Sequence, residues 1–159
     1  MGYELKVVNV RLVKEPSLYS PKPVATPREV TGLIADELSQ YDREVFAVLN
    51  LSTSGRIINL NICSVGCLDA ALVSPREVFK SSILSNAASF IAFHNHPSGN
   101  VTPSREDMEI TKRLKECGDL LGIRMLDHII VAADTGEIFS FLESGLLERK
   151  NEREKAYAI

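Results

Sequence analysis

Cysteine is scarce in this chain: Cys63, Cys67 and Cys117 make an odd number, and no two stand in CxxC spacing. A disulfide framework needs pairs, so the chain reads as one kept in a reducing compartment, the cytoplasm. Cys63 and Cys67 lie four residues apart without two further ligands nearby, and read as small buried hydrophobes. Long apolar runs are missing too. No stretch approaches the roughly 20 apolar residues of a membrane helix, and the start Met1-Gly2-Tyr3-Glu4-Leu5-Lys6 lacks the basic-then-apolar pattern of a secretion signal. Positive charge is in deficit, with 18 Lys and Arg against 21 Asp and Glu and a net charge of −3. No global field draws such a chain onto a phosphate backbone, which argues against direct nucleic-acid binding.

What is present suits one compact core. A chain of 159 residues has the usual size of a single domain. It buries roughly 70% of its unfolded surface, so it needs no metal merely to fold. Residues 5–13 alternate like a strand, and 15–25 carry three prolines and read as an extended connector. Thr26-Pro27-Arg28-Glu29 is a helix start, with a capping Thr, Pro at the first helical position and Glu three residues after the cap. Val30, Leu33, Ile34 and Leu38 give that helix its apolar face. Strands are expected over 43–51 and 56–63, joined at Ser52-Thr53-Ser54-Gly55 as a hairpin. Ser74-Pro75-Arg76-Glu77 repeats the helix start and predicts a helix over 75–87. A short buried strand follows over 89–94, with 94–100 as its exit. Thr102-Pro103-Ser104 opens a helix that ends near Leu121, with Gly122 just beyond it. Strands at 123–133 and 137–141 flank Asp134-Thr135-Gly136, and a short terminal helix is expected from Leu142. The organisation is therefore an N-terminal strand and connector (1–25), an α/β domain of mixed sheet flanked by helices (26–147), and a charged tail (148–159).

The chain has only three histidines, and two of them, His94 and His96, stand two residues apart. In extended backbone such residues project to the same side, and Pro97 keeps His96 extended. Asp107 lies near the start of the next helix, and the loop containing Pro97, Gly99 and Pro103 is long enough to fold its carboxylate back beside both imidazoles. Two imidazoles and a carboxylate leave a fourth zinc position for water, whose pKa the ion lowers to roughly 7. Such chemistry also wants a carboxylate to shuttle a proton and a donor for the oxyanion. Ser104, three residues before Asp107, is placed to be that donor, or is simply the helix N-cap. For the carboxylate, Glu29, Glu37, Glu44 and Glu77 all stand as candidates. Asn95 and Ser98 either hold substrate backbone or brace the turn. Asp127-His128, a polar pair inside an apolar strand, reads as a satisfied buried pair in preference to support for the metal site.

The run His94-Asn95-His96, seven residues, Ser104, two residues, Asp107 resembles the JAMM motif of JAB/MPN-type metalloproteases without departure in spacing. The surrounding letters, SPREVFKSSILSNAASFI at 74–91 and LGIRMLDHIIV at 121–131, are similar to the bacterial RadC-like proteins, and the resemblance covers about residues 26–142. It implies a single-domain JAB/MPN-like fold, a cytidine-deaminase-like sandwich. It also implies one zinc ion per chain on His94, His96 and Asp107, with Glu44 as general base. The expected activity is that of a zinc metallopeptidase cutting an amide or isopeptide bond in a protein or peptide substrate. The alternative is a DNA-repair or mobile-element accessory protein that keeps zinc without peptidase turnover. A nuclease reading prompted by the letters His94-Asn95-His96 ranks below both. Longer RadC-like proteins carry a helix-hairpin-helix region before this domain. With only residues 1–25 ahead of the first helix, that module is expected to be absent.

Overall fold

The computed structural model describes residues 11–13, 18, 26–66 and 73–148. The expected strand at 5–13, the proline-rich connector, Cys67 and the charged tail lie outside these residues, apart from 11–13, 18 and 148, which form neither helix nor strand. Helix α1 spans Pro27–Leu38, and its capping box forms: Glu29 N–H donates to Thr26 Oγ1 and Thr26 N–H donates to Glu29 Oε2. Val30, Ile34, Ala35 and Leu38 are the residues it buries. Helix α2, Pro75–Leu84, starts where expected but without a side-chain cap: the Glu77 N–H donates to the Ser74 main-chain carbonyl at 2.9 Å, and the Glu77 carboxylate pairs with Lys80. It ends three residues early, with Asn86 at φ 51° turning the chain.

The strands are β1 (Val45–Leu51), β2 (Ile57–Val65), β3 (Ser89–His96), β4 (Arg124–Ala132) and β5 (Ile138–Ser140). They form one sheet in the order β2-β1-β3-β4-β5, antiparallel throughout except for β3 and β4. That parallel pair is joined by α3 (Arg105–Leu121), as a crossover helix requires. Gly122 at φ 71° closes α3 in the left-handed conformation. The expected helix after Leu142 is absent: residues 141–147 form successive turns, with Gly145 at φ 76°.

Both faces of the sheet are covered, so β1 and β3 are apolar along nearly their whole length. Phe46, Val48, Phe90 and Ala92 pack with residues of α2 and α3, while Val45, Ala47, Leu49, Ile91 and Phe93 pack with α1. Successive residues thus serve opposite cores, at the period of two that a strand dictates. In β4 the alternation slips once. Phe90 pairs with Met125 but Ile91 pairs with Asp127, so Leu126 is an extra residue. A one-residue slip moves every later side chain to the other face. Met125 therefore shares a core with Ile130, and His128, two residues before Ile130, faces α3.

Candidate metal centre

Strand parity brings the two imidazoles together. His94 and His96 continue the row of Phe90 and Ala92 toward α3, and the strand runs two residues further than expected, so both imidazoles are held by sheet pairing. Beyond them the chain turns sharply: Gly99, at φ 76°, and Ala133 both donate N–H to the His96 carbonyl. Helix α3 then opens with a second capping box. Asp107 N–H donates to Ser104 Oγ at 3.1 Å, and Ser104 N–H donates to Asp107 Oδ2 at 2.7 Å. The reciprocal pair satisfies two helix-end donors and fixes the carboxylate in one orientation.

His94 Nε2 and His96 Nε2 are 2.9 Å apart, Asp107 Oδ1 is 3.0 Å from His94 Nε2, and Oδ2 is 3.3 Å from His96 Nε2. In a tetrahedral site with bonds of about 2.0–2.1 Å, neighbouring donor atoms stand roughly 3.3 Å apart. The cluster therefore has the size of a cation site, and its donor set can bind a metal. Basic atoms this close repel one another unless a proton or a cation lies between them. His96 Nδ1 donates to the Asn100 carbonyl at 2.6 Å, an acceptor that cannot donate, so the His96 Nε2 lone pair points inward.

Burial pushes His94 below its ordinary pKa, and Asp107 offsets only part of that. Burial acts the same way on His96, but Asp107 and the Asn100 carbonyl together raise it. At Asp107 burial favours the neutral acid, yet in the acid range where it would titrate both imidazoles, then carrying a proton on Nε2, bond it and hold the group far below the usual carboxylate range. The carboxylate is anionic at neutral pH, the form a metal ligand needs.

An open cleft of about 370 Å³ adjoins the cluster, lined in part by Glu44, His96, Ser98, Ser104, Glu106 and Asp107. Glu44 thus reaches the site, although it precedes β1 instead of opening it. Two of its rivals are engaged elsewhere, Glu29 in the α1 cap and Glu77 with Lys80, and the third, Glu37, lies in α1 and does not line the cleft. Ser104 is the N-cap; its oxygen accepts from Asp107 N–H, which leaves its own hydrogen available toward the cleft. Ser98 lines the cleft and accepts weakly from Asn100 N–H at 3.4 Å.

Of the two readings open for Asn95, the structure shows the brace. Asn95 is no substrate contact: it is fully buried on the α1 side, because parity turns it away from its two histidine neighbours. Its Oδ1 accepts from Val45 N–H at 2.7 Å, and its Nδ2 donates to the Arg43 carbonyl at 3.0 Å. One side chain thus braces the backbone on both sides of Glu44. Asn95→Ala would strand a buried donor and acceptor. Urea unfolding is expected to show a loss of about 1–3 kcal/mol; a loss below about 0.5 kcal/mol would put Asn95 among neutral surface positions.

Asp127 and His128 are satisfied, but they do not pair side chain to side chain. Asp127 accepts from Ser140 Oγ, Leu142 N–H and His128 N–H, tying β4 to the turn after β5. His128 instead contacts His94 directly, Nε2 to Nδ1 at 2.8 Å, a support role that the sequence reading ranked second. Thr111, which bonds the other His128 nitrogen, was missed. Its signal was its place one helical turn after Asp107. Cys63 is half-buried, and burial pushes its thiol up to about 12, so it remains a protonated hydrophobe. Among the described residues no helix is long and apolar enough to cross a membrane.

Comparison with known proteins places this geometry. The family model of the RadC-like JAB domain matches residues 24–146. A UPF0758 protein of Moorella thermoacetica is 45% identical over 124 residues, covering 78% of this chain and 53% of the relative. One from Rubrobacter xylanophilus is 46% identical over the same shares, and one from Desulforudis audaxviator is 47% identical over 108 residues, 68% of this chain and 47% of the relative. The chain therefore spans about half the length of the curated relatives it matches.

Proposed function

We propose, for a chain that belongs to the family of RadC-like JAB domains, that it is a zinc-dependent hydrolase cutting an amide or isopeptide bond in a protein or peptide. The observation that carries the reading is the convergence of two imidazoles and a carboxylate beside a cleft that also holds Glu44 and Ser104. His94, His96 and Asp107 are the residues that would hold the ion. Bound there, zinc supplies a Lewis acid and lowers the pKa of a water molecule toward neutrality.

The remaining work falls to the chain's own groups. The Glu44 carboxylate takes a proton from the attacking water and returns it to the departing nitrogen. The Ser104 hydroxyl, its oxygen already accepting from Asp107 N–H, directs its hydrogen at the oxyanion that develops on the substrate carbonyl. Asn95 keeps the Glu44 backbone in register with the strand that carries both histidines. Carboxylates at Glu44, Glu106 and Asp107 line the cleft, which favours peptide over a phosphate backbone, since phosphate would meet like charge.

A proteome-derived library of peptides and isopeptide-linked conjugates tests this reading. Zinc-loaded protein is expected to release new amines, and a chelator to stop the release. A fully zinc-loaded protein that cleaves nothing in the library, yet binds DNA with a steep salt dependence, would favour the DNA-accessory role instead.

A further inference from the structure

We propose that His128, itself held by Thr111, is the positioning residue that fixes His94 in its Nδ1–H tautomer and so aims the His94 Nε2 lone pair at the metal position. The inference rests on reading His94 as a metal ligand, and it concerns what makes His94 one.

The direction of every hydrogen bond in the chain of contacts follows from its far end. The Asp107 main-chain carbonyl only accepts, and the Thr111 hydroxyl donates its single hydrogen to it at 2.6 Å. The Thr111 oxygen can then only accept from His128 Nδ1, also at 2.6 Å, so that nitrogen carries the hydrogen. In a neutral imidazole the other nitrogen is bare. His128 Nε2 therefore accepts from His94 Nδ1–H at 2.8 Å. His94 is left with its lone pair on Nε2, the atom 3.0 Å from Asp107 Oδ1. The path starts at the Asp107 main chain, runs through α3, β4 and β3, and ends at a bare His94 Nε2 beside the Asp107 carboxylate.

The packing permits little else. His128 is fully buried, and among the described residues its two ring nitrogens meet only His94 Nδ1 and the Thr111 hydroxyl, with no carboxylate to hold a second proton on the ring. Phe141 stacks on its ring at 4.9 Å and 12°, and Phe46 meets it edge-on at 5.6 Å. Phe46 also stacks along His94 at 6.1 Å. Rotation of either imidazole would break aromatic packing on the way. The two ligands differ in this respect. His96 takes its tautomer from a main-chain carbonyl, which no substitution removes, whereas His94 takes its tautomer from side chains.

Zinc competition titrations on the full chain, combined with ¹⁵N NMR of the imidazole nitrogens, test the proposal. His128→Leu removes the acceptor and is expected to weaken zinc binding about 10–100-fold. His128→Gln, which can place an amide oxygen near the lost nitrogen, is expected to recover most of that. Thr111→Val keeps the shape without the hydroxyl and is expected to weaken binding about 10-fold, while Thr111→Ser stays near wild type. In the wild type, NMR should find both His94 and His128 protonated at Nδ1. If His128→Leu does not fold, Thr111→Val and the wild-type tautomers still decide the matter. Unchanged zinc affinity in a folded His128→Leu or Thr111→Val, or a His94 protonated at Nε2 in the zinc-loaded protein, overturns the proposal. Wild-type protein that takes up no zinc would instead overturn the metal reading itself, and this inference with it.

Discussion

Asp107→Ala is expected to lower zinc affinity by about 2.5–4 kcal/mol, on the order of 10²–10³-fold, if the roughly 10–16 kcal/mol of a four-ligand zinc site divides evenly among its ligands. The same change should also weaken the fold, because Asp107 closes the capping box of α3. Loss of a cap of this kind costs about 1 kcal/mol. Asp107→Asn separates the two effects. The amide oxygen can still accept from Ser104 N–H, so the helix start survives, while the charge that attracts the cation is gone. Zinc titration and metal-free thermal unfolding of both variants read the two quantities independently. Zinc affinity within threefold of wild type in either variant would remove Asp107 from the ligand set.

The carboxylate also sets a pH dependence in the metal-free protein. Its folded pKa lies far below the usual carboxylate range because both imidazoles, once protonated at Nε2 in acid, bond it against the opposing effect of burial. A depressed carboxyl pKa means stability that is fully present above the unfolded value and is lost as pH falls below it toward the folded value. Acid unfolding of Asp107→Asn should lack this component.

Glu44→Gln should leave zinc affinity unchanged and reduce hydrolysis by about 10²–10⁴-fold, the usual contribution of a positioned acid–base group. Gln keeps the size of the side chain but cannot accept the proton of the attacking water. The Glu44 backbone is held independently of its carboxylate: its carbonyl accepts from Gly66 N–H at 2.8 Å, and Asn95 pins the residues on either side. The substitution should therefore leave the main chain around the site in place. Turnover of a substrate identified in the library, measured beside a zinc titration, is the readout. Wild-type turnover in Glu44→Gln would assign the proton transfer to another group, with Glu106 in the same cleft the first candidate.

The parts of this site that local rules govern were legible in the sequence. A period of two places His94 and His96 on one side, Pro97 holds the strand end open, and the Ser104-x-x-Asp107 spacing is itself a capping box. What could not be read depends on distant partners. Asn95 sits between two histidines in sequence, yet its role follows from β1 lying beside β3, where its amide meets Arg43 and Val45. His128 faces the metal cluster only because Leu126 is an extra residue in β4; regular alternation from Met125 would have sent it toward α1. Ser74 has the same letters after it as Thr26, but there the Glu77 N–H goes to the Ser74 main-chain carbonyl and the Glu77 carboxylate to Lys80, so no side-chain cap forms. The expected helix beyond Leu142 gives way to turns that deliver main-chain N–H groups of Leu146 and Leu147 to the Phe141 carbonyl.

In the proposed enzyme, His94, His96 and Asp107 hold one zinc ion. X-ray absorption at the zinc edge, on protein loaded with zinc and freed of excess, tests it most directly. The account predicts about one equivalent of zinc with a nitrogen and oxygen shell at about 2.0–2.1 Å, imidazole scattering included. Zinc at well under half an equivalent, or a sulfur shell at about 2.3 Å, would contradict it.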